Sequence, residues 1–384
     1  SYQLRIYNPD PATEGWETEH TVIEIHLDDR PFIVDSIRLL LKRENLTLHH
    51  LLHPILSARR NEQGNLTDLF LGGDGQAPSE SYELFMIDRV EDPDDRKELE
   101  RKASRILEDV IAVTDDYQPM RSHLHSLRDS LSRLKQEQSS AQAPEDPAKL
   151  QEYADFLSWL DQGNFVFLGY REYQKLELKE GTCIQVVPDT GLGILRKSAD
   201  SRFSAPVPVE ELPKAVQAQM SGPPLLLVTK TRSESLIHKA NLMDYIGIKE
   251  LDAEGEAVRE HRFLGLFTTR AYSTPTSDIP ILRWKLQRVL ALDRAREGSH
   301  DYKQIVTIFN SVPRGELFLL SSADLHRDIR KIMSIERERG VRLQLRPDPL
   351  HRGFVVMVIM PRDRFNSDIR RKIQDFLEIG RAHV

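Results

Sequence analysis

The sequence predicts an α+β protein in which two similar units of strands and helices lie on either side of an antiparallel sheet. Three observations support this fold class. Residues 21–44 are typical of a strand followed at once by an amphipathic helix, and residues 165–268 contain five short apolar runs with few helices. Residues 317–377 then repeat the order strand, helix, strand, strand, helix that is found in 21–113. A chain of 384 residues is too long for one compact core, so two to three domains are expected.

The first unit opens with a strand at 21–28, where β-branched residues alternate with polar ones as in a half-buried strand. Asp29 is placed to cap a following helix, and Pro31 falls in its first turn, where a helix tolerates proline. Apolar residues then recur at helical spacing and form one stripe: Ile33, Val34, Ile37, Leu40 and Leu41. This strand, turn and helix resemble the opening of an ACT domain, a small ferredoxin-like module that binds amino acids in many metabolic regulators.

The turn between this strand and helix is the candidate effector site, and its residues are Asp28, Asp29, Arg30 and Phe32. The free N–H groups and the positive dipole end of the helix suit a carboxylate ligand, to which Arg30 could add a charge-assisted contact. In ligand-binding ACT domains the residue after the proline is usually glycine, which lets an effector approach the backbone. Phe32 at that position favours a turn that caps and packs over one that binds a ligand.

Residues 1–117 are assigned to this first ACT-like domain. Asp92-Pro93 marks a strong helix start, with acidic residues in the first turn and proline at the first position. The strands of the domain are predicted, besides 21–28, at 2–7, 46–60, 66–71 and 81–90.

Residues 118–147 are predicted to be a polar helix followed by a linker. Leucines at helical spacing form either a dimer seam or a face that packs on a neighbouring domain, which is the favoured alternative: Leu124, Leu127, Leu131 and Leu134. Residues 139–147 are rich in Ser, Ala, Gln and Pro, as is typical of a linker.

The remainder of the chain is divided into a sheet domain, a helix and a second α+β unit. Residues 148–278 are predicted to be a PAS-like antiparallel domain, because strand-like runs dominate them. Residues 279–300 are predicted to be a connecting helix, and 301–384 a second, truncated ACT-like domain.

Within the second ACT-like domain, residues 317–320 are predicted to be the opening strand. Ser321 and Asp324 have the spacing of a capping box at the start of the helix that follows. A closing strand is expected after the last helix, but the sequence stops. The tail at 381–384 is therefore expected to be cut or vector-derived, and the Ser at position 1 suggests a segment of a longer protein.

Composition excludes several classes of protein. No apolar run approaches the ~20 residues of a membrane helix, and no signal peptide pattern opens the chain. The single cysteine, Cys183, excludes an intrachain disulfide and a cysteine metal cage, which indicates a reducing, cytoplasmic setting. Residues 283–384 carry a net charge of +8 and the remainder −15. Since no nucleic-acid recognition motif accompanies the basic end, we expect the oppositely charged parts to face each other or a protein partner.

Two motifs could carry chemistry. The first motif is the densest histidine group, which includes His49 and His53. Because these two residues are four apart in a predicted strand, both could supply metal ligands from one face of it. No carboxylate has matching spacing. The favoured interpretation is partly buried, hydrogen-bonded histidines, with no metal; a metal-dependent hydrolase is the less favoured alternative. Gly191-Leu192-Gly193 lacks the third glycine and following helix of a dinucleotide fingerprint, so its glycines are interpreted as turn residues.

Several segments, in the same order, resemble the N-terminal region of the very large bacterial NAD-specific glutamate dehydrogenases. The resemblance covers nearly the whole chain and includes the segments at 7–9, 20–24, 30–36, 53–54, 165–173, 190–195, 243–249, 261–268 and 361–366. In that family the N-terminal portion is understood as ACT-like domains flanking a PAS-like one, ahead of a separate catalytic part. Phe32 agrees with this family.

This resemblance implies a regulatory and oligomerisation segment of an enzyme that converts L-glutamate, NAD and water to 2-oxoglutarate, ammonia and NADH. The chain lacks the family's nucleotide-binding unit and glutamate-site lysine segment, so no catalytic residue is assigned and the chain alone is expected to be inactive. NAD is expected for the parent enzyme and no cofactor for this chain. The expected partners are the missing C-terminal catalytic region, further copies of the parent and, in the alternative interpretation, an amino-acid effector. The alternative is a stand-alone amino-acid-sensing ACT module that binds its effector at the strand–helix turn.

Overall fold

A computed structural model describes residues 2–63, 65–71, 79–137, 146–179, 181–214, 217, 224–252, 254–338, 340–347 and 354–381. Its helices and antiparallel sheets confirm the α+β class. The strands are β1 (Tyr2–Tyr7), β2 (Thr21–Asp28), β3 (Leu48–Leu52), β4 (Ile55–Arg60), β5 (Leu66–Leu71), β6 (Ser79–Ile87), β7 (Phe165–Leu178), β8 (Gly181–Val186), β9 (Leu192–Gly193), β10 (Val207–Pro208), β11 (Leu226–Glu234), β12 (Leu242–Leu251), β13 (Ala257–Phe267), β14 (Arg342–Pro347) and β15 (Phe354–Ile359). The helices are α1 (Ile33–Arg43), α2 (Pro93–Asp115), α3 (Tyr117–Glu137), α4 (Pro147–Trp159), α5 (Thr269–Ser273), α6 (Leu282–Asp293), α7 (His300–Ser311), α8 (Arg314–Leu319), α9 (Ser322–Glu338) and α10 (Ser367–Arg381).

The first sheet has the strand order β1-β2-β6-β4-β5, and β3 also pairs with β6. Every pairing in it is antiparallel. Helices α1 and α2 share one core with this sheet, in which the large apolar side chains are fully buried, among them Ile23, Ile25, Ile37, Phe85 and Leu107. Helix α2 starts where the sequence predicts, because the Asp92 carboxylate accepts the Asp94 N–H at 2.8 Å and Pro93 follows it.

The strand predicted over 46–60 is in fact two strands, β3 and β4, separated by His53-Pro54. Proline has no N–H to donate, so it interrupts the ladder at this point. The carbonyl of Pro54 still accepts the N–H of Tyr82 at 3.2 Å, and the two strands pair with different parts of β6.

The middle sheet has the strand order β10-β8-β7-β13-β12-β11, and β9 pairs with β7. The five long strands are those predicted, and β9 and β10 add two residues each. One face of the sheet packs on α3 and α4, and Leu124 and Leu131 of α3 are buried in that contact. The leucine stripe is therefore a packed face within the chain, as favoured. Residues 139–145 of the predicted linker lie outside the described residues, as do residues 215, 216 and 218–223.

Residues 317–320, predicted as a strand, belong largely to helix α8. Pro313 precedes this helix at the position where proline favours a helix start, and a short apolar run by itself does not distinguish strand from helix. The order predicted for the second unit is therefore wrong at its first element. The capping box is confirmed, because the Ser321 hydroxyl accepts the Asp324 N–H at 3.1 Å and donates to the Asp324 carboxylate at 2.7 Å.

The last part of the chain forms a two-stranded antiparallel sheet, β14-β15, followed by α10. Its register pairs Leu343 with Val358 and Leu345 with Val356. Several large apolar side chains here are exposed: Leu343, Leu345, Phe354, Phe365 and Phe376. Nowhere in the described ranges is there a helix long and apolar enough to cross a membrane.

Candidate functional site

The strand–helix turn of the first unit is closed by Phe32, which has φ +79° and ψ −8° and directly precedes α1. No side chain caps the helix at this position. The predicted cap by Asp29 is wrong, because Asp29 lies three residues before Phe32 and its N–H pairs with the Ser79 carbonyl at 2.9 Å. Pro31 likewise lies before the helix and not in its first turn. Phe32 thus adopts the left-handed conformation that glycine adopts most easily.

Arg30 points away from the helix start and toward the C-terminal end of α2. Its guanidinium donates to Thr114 Oγ1 at 2.8 Å and to Asp115 Oδ1 at 2.5 Å, and it lies 3.5 Å from Asp28 Oδ2. Arg30 is therefore an ion-pair partner that ties the turn to α2. Of the four predicted site residues, the structure brings Asp28 and Arg30 together, leaves Asp29 exposed, and turns Phe32 toward the middle unit.

Phe32 contacts a loop of the middle unit, and its ring lies 5.2 Å from that of His238. The His238 N–H donates to Ser36 Oγ at 3.3 Å, and His238 Nδ1 lies 3.2 Å from Asp35 Oδ2. Ile237 beside it is 2% exposed and belongs to the core of the first unit. The loop between β11 and β12 therefore covers the first turn of α1.

A second contact joins the units at Asp116, the residue between α2 and α3. Its buried carboxylate accepts the Gly193 N–H at 2.7 Å and the Arg196 guanidinium at 2.8 and 3.0 Å. The hydrogen bond that Arg196 donates to Asp116 raises the pKa of Arg196. Together with the loop at His238, this contact fixes the first unit on the middle sheet at two points.

Gly193 is a turn residue, as predicted, and it makes the Asp116 contact possible. Its φ is +58°, and i to i+3 hydrogen bonds follow from Leu195 to Leu192 and from Arg196 to Gly193. A Cβ at Gly193 would lie 2.2 Å from the Leu168 carbonyl oxygen, so a side chain would force β9 away from β7. Sequence inspection singled out this glycine but missed Asp116, Arg196 and His238. The only local signal for Asp116 is its place between two helices.

Three histidines of the first unit have separate polar partners. His26 lies 2.6 Å from Glu80, His49 lies 2.7 Å from Asp88, and His53 lies 2.9 Å from Ser81 Oγ. The ring of His20 stacks on that of His49 at 4.4 Å. Among the residues that the structure describes, no group of three or more His, Cys, Asp or Glu is arranged to hold a metal ion. His49 and His53 are hydrogen-bonded, as that interpretation expects, but both are exposed and not partly buried.

The fold and this junction define a multidomain α+β protein in which an ACT-type unit is fixed on a second antiparallel sheet and followed by helices. Family models agree with this class. Residues 1–103 match the model described as glutamate dehydrogenase, ACT1 domain; residues 279–338 match glutamate dehydrogenase, helical motif 1; and residues 342–380 match glutamate dehydrogenase, ACT2 domain.

Curated relatives agree over almost the whole chain. A NAD-specific glutamate dehydrogenase from Halomonas elongata is 31% identical over 380 residues, which is 98% of this chain and 23% of that protein. One from Pseudomonas aeruginosa is 30% identical with the same coverage, and one from Mycobacterium tuberculosis is 26% identical over 96% of this chain. The chain belongs to the NAD-specific glutamate dehydrogenase family and corresponds to its N-terminal segment. It spans less than a quarter of the length of these relatives.

Proposed function

We propose that this chain is the regulatory and assembly segment of a NAD-specific glutamate dehydrogenase and has no catalytic activity by itself. The observation that carries the proposal is the double contact between the first unit and the middle sheet, at His238 and at Asp116. In this junction the turn where an ACT domain would take an effector contacts another unit of the same chain. Such an arrangement can transmit a shift of one unit to the next through packed groups.

The parent enzyme would convert L-glutamate, NAD and water to 2-oxoglutarate, ammonia and NADH in a catalytic region outside this chain. The names of the relatives, and the 23% of their length that this chain covers, support a catalytic region outside this chain. NAD would bind that region, and the parent would work in the cytoplasm as an oligomer. The exposed apolar face of β14, β15 and α10 supports a contact with the remainder of the longer polypeptide, because isolated domains rarely expose such a patch.

The proposed domain division is a first ACT-like domain at 1–117, a helix and linker at 118–147, and a PAS-like domain at 148–278. A connecting helix at 279–300 and a second ACT-like domain at 301–384 follow. The antiparallel sheet of five long strands with helices on one face supports the PAS-like assignment. The matches of 279–338 to a helical motif and of 342–380 to an ACT2 domain instead favour a second ACT-like domain that begins at 342, with α6 to α9 as one helical connection ahead of β14.

The purified chain is expected to form no NADH from L-glutamate and NAD, because the catalytic region lies elsewhere in the parent. The measurement is NADH absorbance under conditions in which the parent enzyme is active, with the parent as positive control. Glutamate-dependent NADH formation by the chain alone would overturn the proposal.

In the parent, Asp116→Ala is expected to change the glutamate dependence of the rate if the segment is regulatory.

A second candidate function is amino-acid sensing at Asp28, Asp29, Arg30 and Phe32. One observation favours it: with φ +79° at Phe32, the turn keeps the backbone shape that a glycine would give it. The experiment is calorimetry of the chain with a panel of amino acids. No binding heat is expected for the assembly role, since Arg30 is paired with Asp115 and Phe32 with His238.

Binding heat that is lost in Arg30→Ala would instead support the sensor. The matched control is Arg38→Ala, because Arg38 lies on the exposed side of the same helix, α1. A sensor at the turn requires that Arg38→Ala leaves the binding heat unchanged.

A further inference from the structure

A cluster of titratable side chains lies where helix α3 packs on the middle sheet. Tyr170, Glu172 and His261 are 0%, 7% and 8% exposed, and strands β7 and β13 place them on one face of the sheet, because His261 is paired with Glu172 and Tyr170 is two residues away. His123 of α3 lies over this face. Its ring stacks on that of Tyr170 with 4.2 Å between the ring centres, and its Nδ1 is 3.9 Å from Glu172 Oε1. Titratable groups of a helix and a sheet therefore meet inside one packing contact.

The Tyr170 hydroxyl makes two hydrogen bonds with its single proton. It donates to Glu172 Oε1 at 2.7 Å, and the other oxygen of this carboxylate accepts from Arg259 at 3.0 Å. Burial and the hydrogen bond to Glu172 raise the pKa of Tyr170, so the hydroxyl keeps its proton. The second bond, of 2.8 Å to His261 Nδ1, must then be donated by the histidine. His261 thus carries a proton on Nδ1, and Nε2 is the nitrogen that can take up a second one.

The other charged groups of the cluster lie on β12 and β13. His261 Nε2 is 3.5 Å from Glu250 Oε2, and Arg259 Nε is 3.8 Å from the same oxygen. With both histidines neutral, the charges are those of Glu172, Glu250 and Arg259, two carboxylates and one guanidinium, which sum to −1. A proton on each of the two histidines changes this sum to +1, so protonation reverses the sign of the charge under α3.

Burial decides which protonation state the packed contact favours. It lowers the pKa of both His123 and His261, although the charge of Glu172 attracts a proton to each ring. Both rings are therefore neutral in the packed contact at neutral pH. If α3 leaves the sheet, the two rings regain the ordinary histidine pKa of about 6.5. Below that pH the open chain binds the protons first, so the packed contact loses stability as the pH falls.

We propose that His123 and His261 make the packing of α3 on the middle sheet sensitive to protons, so that α3 is held at neutral pH and released in mild acid. Helix α3 begins directly after Asp116, whose carboxylate accepts the N–H of Gly193 and the guanidinium of Arg196. Release of α3 would therefore reach the junction between the first unit and the middle sheet. The inference goes beyond the proposed function and rests on it only for this consequence, in which the proton acts as an effector of the regulatory segment.

Hydrogen exchange of α3, measured on the whole chain by mass spectrometry at pH 7.5 and 5.5, tests the proposal. Each rate is divided by the intrinsic exchange rate at the same pH. The corrected exchange of α3 is expected to rise about tenfold or more at pH 5.5, because a histidine that is protonated only in the open state favours opening by about tenfold one pH unit below its ordinary pKa. The amides of α2, which packs in the core of the first unit, report any general effect of acid. An equal change in both helices, or no change in α3, would overturn the proposal.

Glutamine variants remove the two titrations without removing the polar side chains. His261→Gln is expected to reduce the rise in α3 exchange to about threefold or less, because glutamine can still donate to the Tyr170 hydroxyl but takes up no proton. His123→Gln should reduce the rise as well. The matched control is His300→Gln, because the His300 side chain is 87% exposed and this variant should keep the full rise. A full rise in the double variant His123→Gln/His261→Gln would overturn the proposal.

A histidine NMR titration provides a second test if circular dichroism shows that His261→Gln does not fold at pH 7.5. The ring signal of His123 in the native chain is assigned by its loss in His123→Gln, a change at a half-buried position. This signal is expected to titrate below the ordinary histidine pKa of about 6.5. Titration of His123 at or above that value would overturn the proposal. Neither measurement involves NADH formation, so failure here leaves the family role standing.

Discussion

Gly193→Ala is expected to destabilise the chain by about 4 kcal/mol or to prevent folding, because three costs add at this position. An alanine at φ +58° costs about 1 kcal/mol relative to glycine. Its Cβ would lie 2.2 Å from the Leu168 carbonyl oxygen, so β9 would have to move from β7. That movement would break the hydrogen bond from the Gly193 N–H to Asp116, which leaves a buried carboxylate short of a donor at a cost of about 1–3 kcal/mol. The measurement is the free energy of unfolding in urea, with circular dichroism as the signal that monitors unfolding.

The matched control is Gly298→Ala. Gly298 also has positive φ, +79°, but a Cβ there would meet nothing within 4 Å. This variant is expected to lose only about 1 kcal/mol, the cost of the backbone conformation. The difference between the two variants therefore measures the close approach of β9 to β7. If both variants lose the same free energy, the role assigned to Gly193 in the junction is wrong.

Lys285→Met is expected to lower the free energy of unfolding by about 4 kcal/mol. Lys285 in α6 is 8% exposed, and its Nζ donates to the carbonyl oxygens of Leu317, Phe318 and Leu320 at 2.7–2.8 Å. These carbonyls lie at the end of α8, where a helix leaves acceptors without intrahelical donors. Methionine keeps the volume but removes all three donors, and each unpaired buried group costs about 1–3 kcal/mol. Methionine also removes the cost of burying the lysine charge, which offsets part of this loss of stability.

Burial lowers the pKa of the Lys285 ammonium to about 7, and repulsion from Lys149 acts in the same direction. The three carbonyl oxygens act the other way, because they stabilise the charged form. The control is Lys303→Met in the neighbouring helix α7, where the lysine is exposed and the change should lie within about 0.5 kcal/mol. A Lys285→Met variant as stable as this control would show that α8 does not depend on the lysine.

Local patterns in the sequence predict most of the secondary structure. The strand at 21–28, the start of α2 after Asp92 and the capping box at Ser321 were all found where their residues indicate, because neighbours within a few positions decide such features. The two wrong predictions of secondary structure also have local causes. Pro54 divides a predicted strand, and the short apolar run at 317–320 forms a helix once Pro313 starts it and Lys285 holds its end.

The candidate site is less predictable because its partners are remote in sequence. Phe32 is recognisable as an unusual residue at a glycine position, but its neighbour His238 is more than 200 residues away. Arg30 is recognisable as a cation near a helix start, yet its carboxylate partner is at the far end of another helix. Neither contact can be recognised from the spacing of residues in the sequence.

The sequence by itself determined the fold class, the strand–helix turn with Phe32 in the glycine position, and the likeness to the N-terminal segment of NAD-specific glutamate dehydrogenases. These depend on residue order and short-range spacing. The tertiary structure alone decided that Arg30 pairs with Asp115 and that Asp116 holds Gly193 across 77 residues. Such features arise only when the chain packs, because burial and hydrogen-bond partners are set by elements that meet in space.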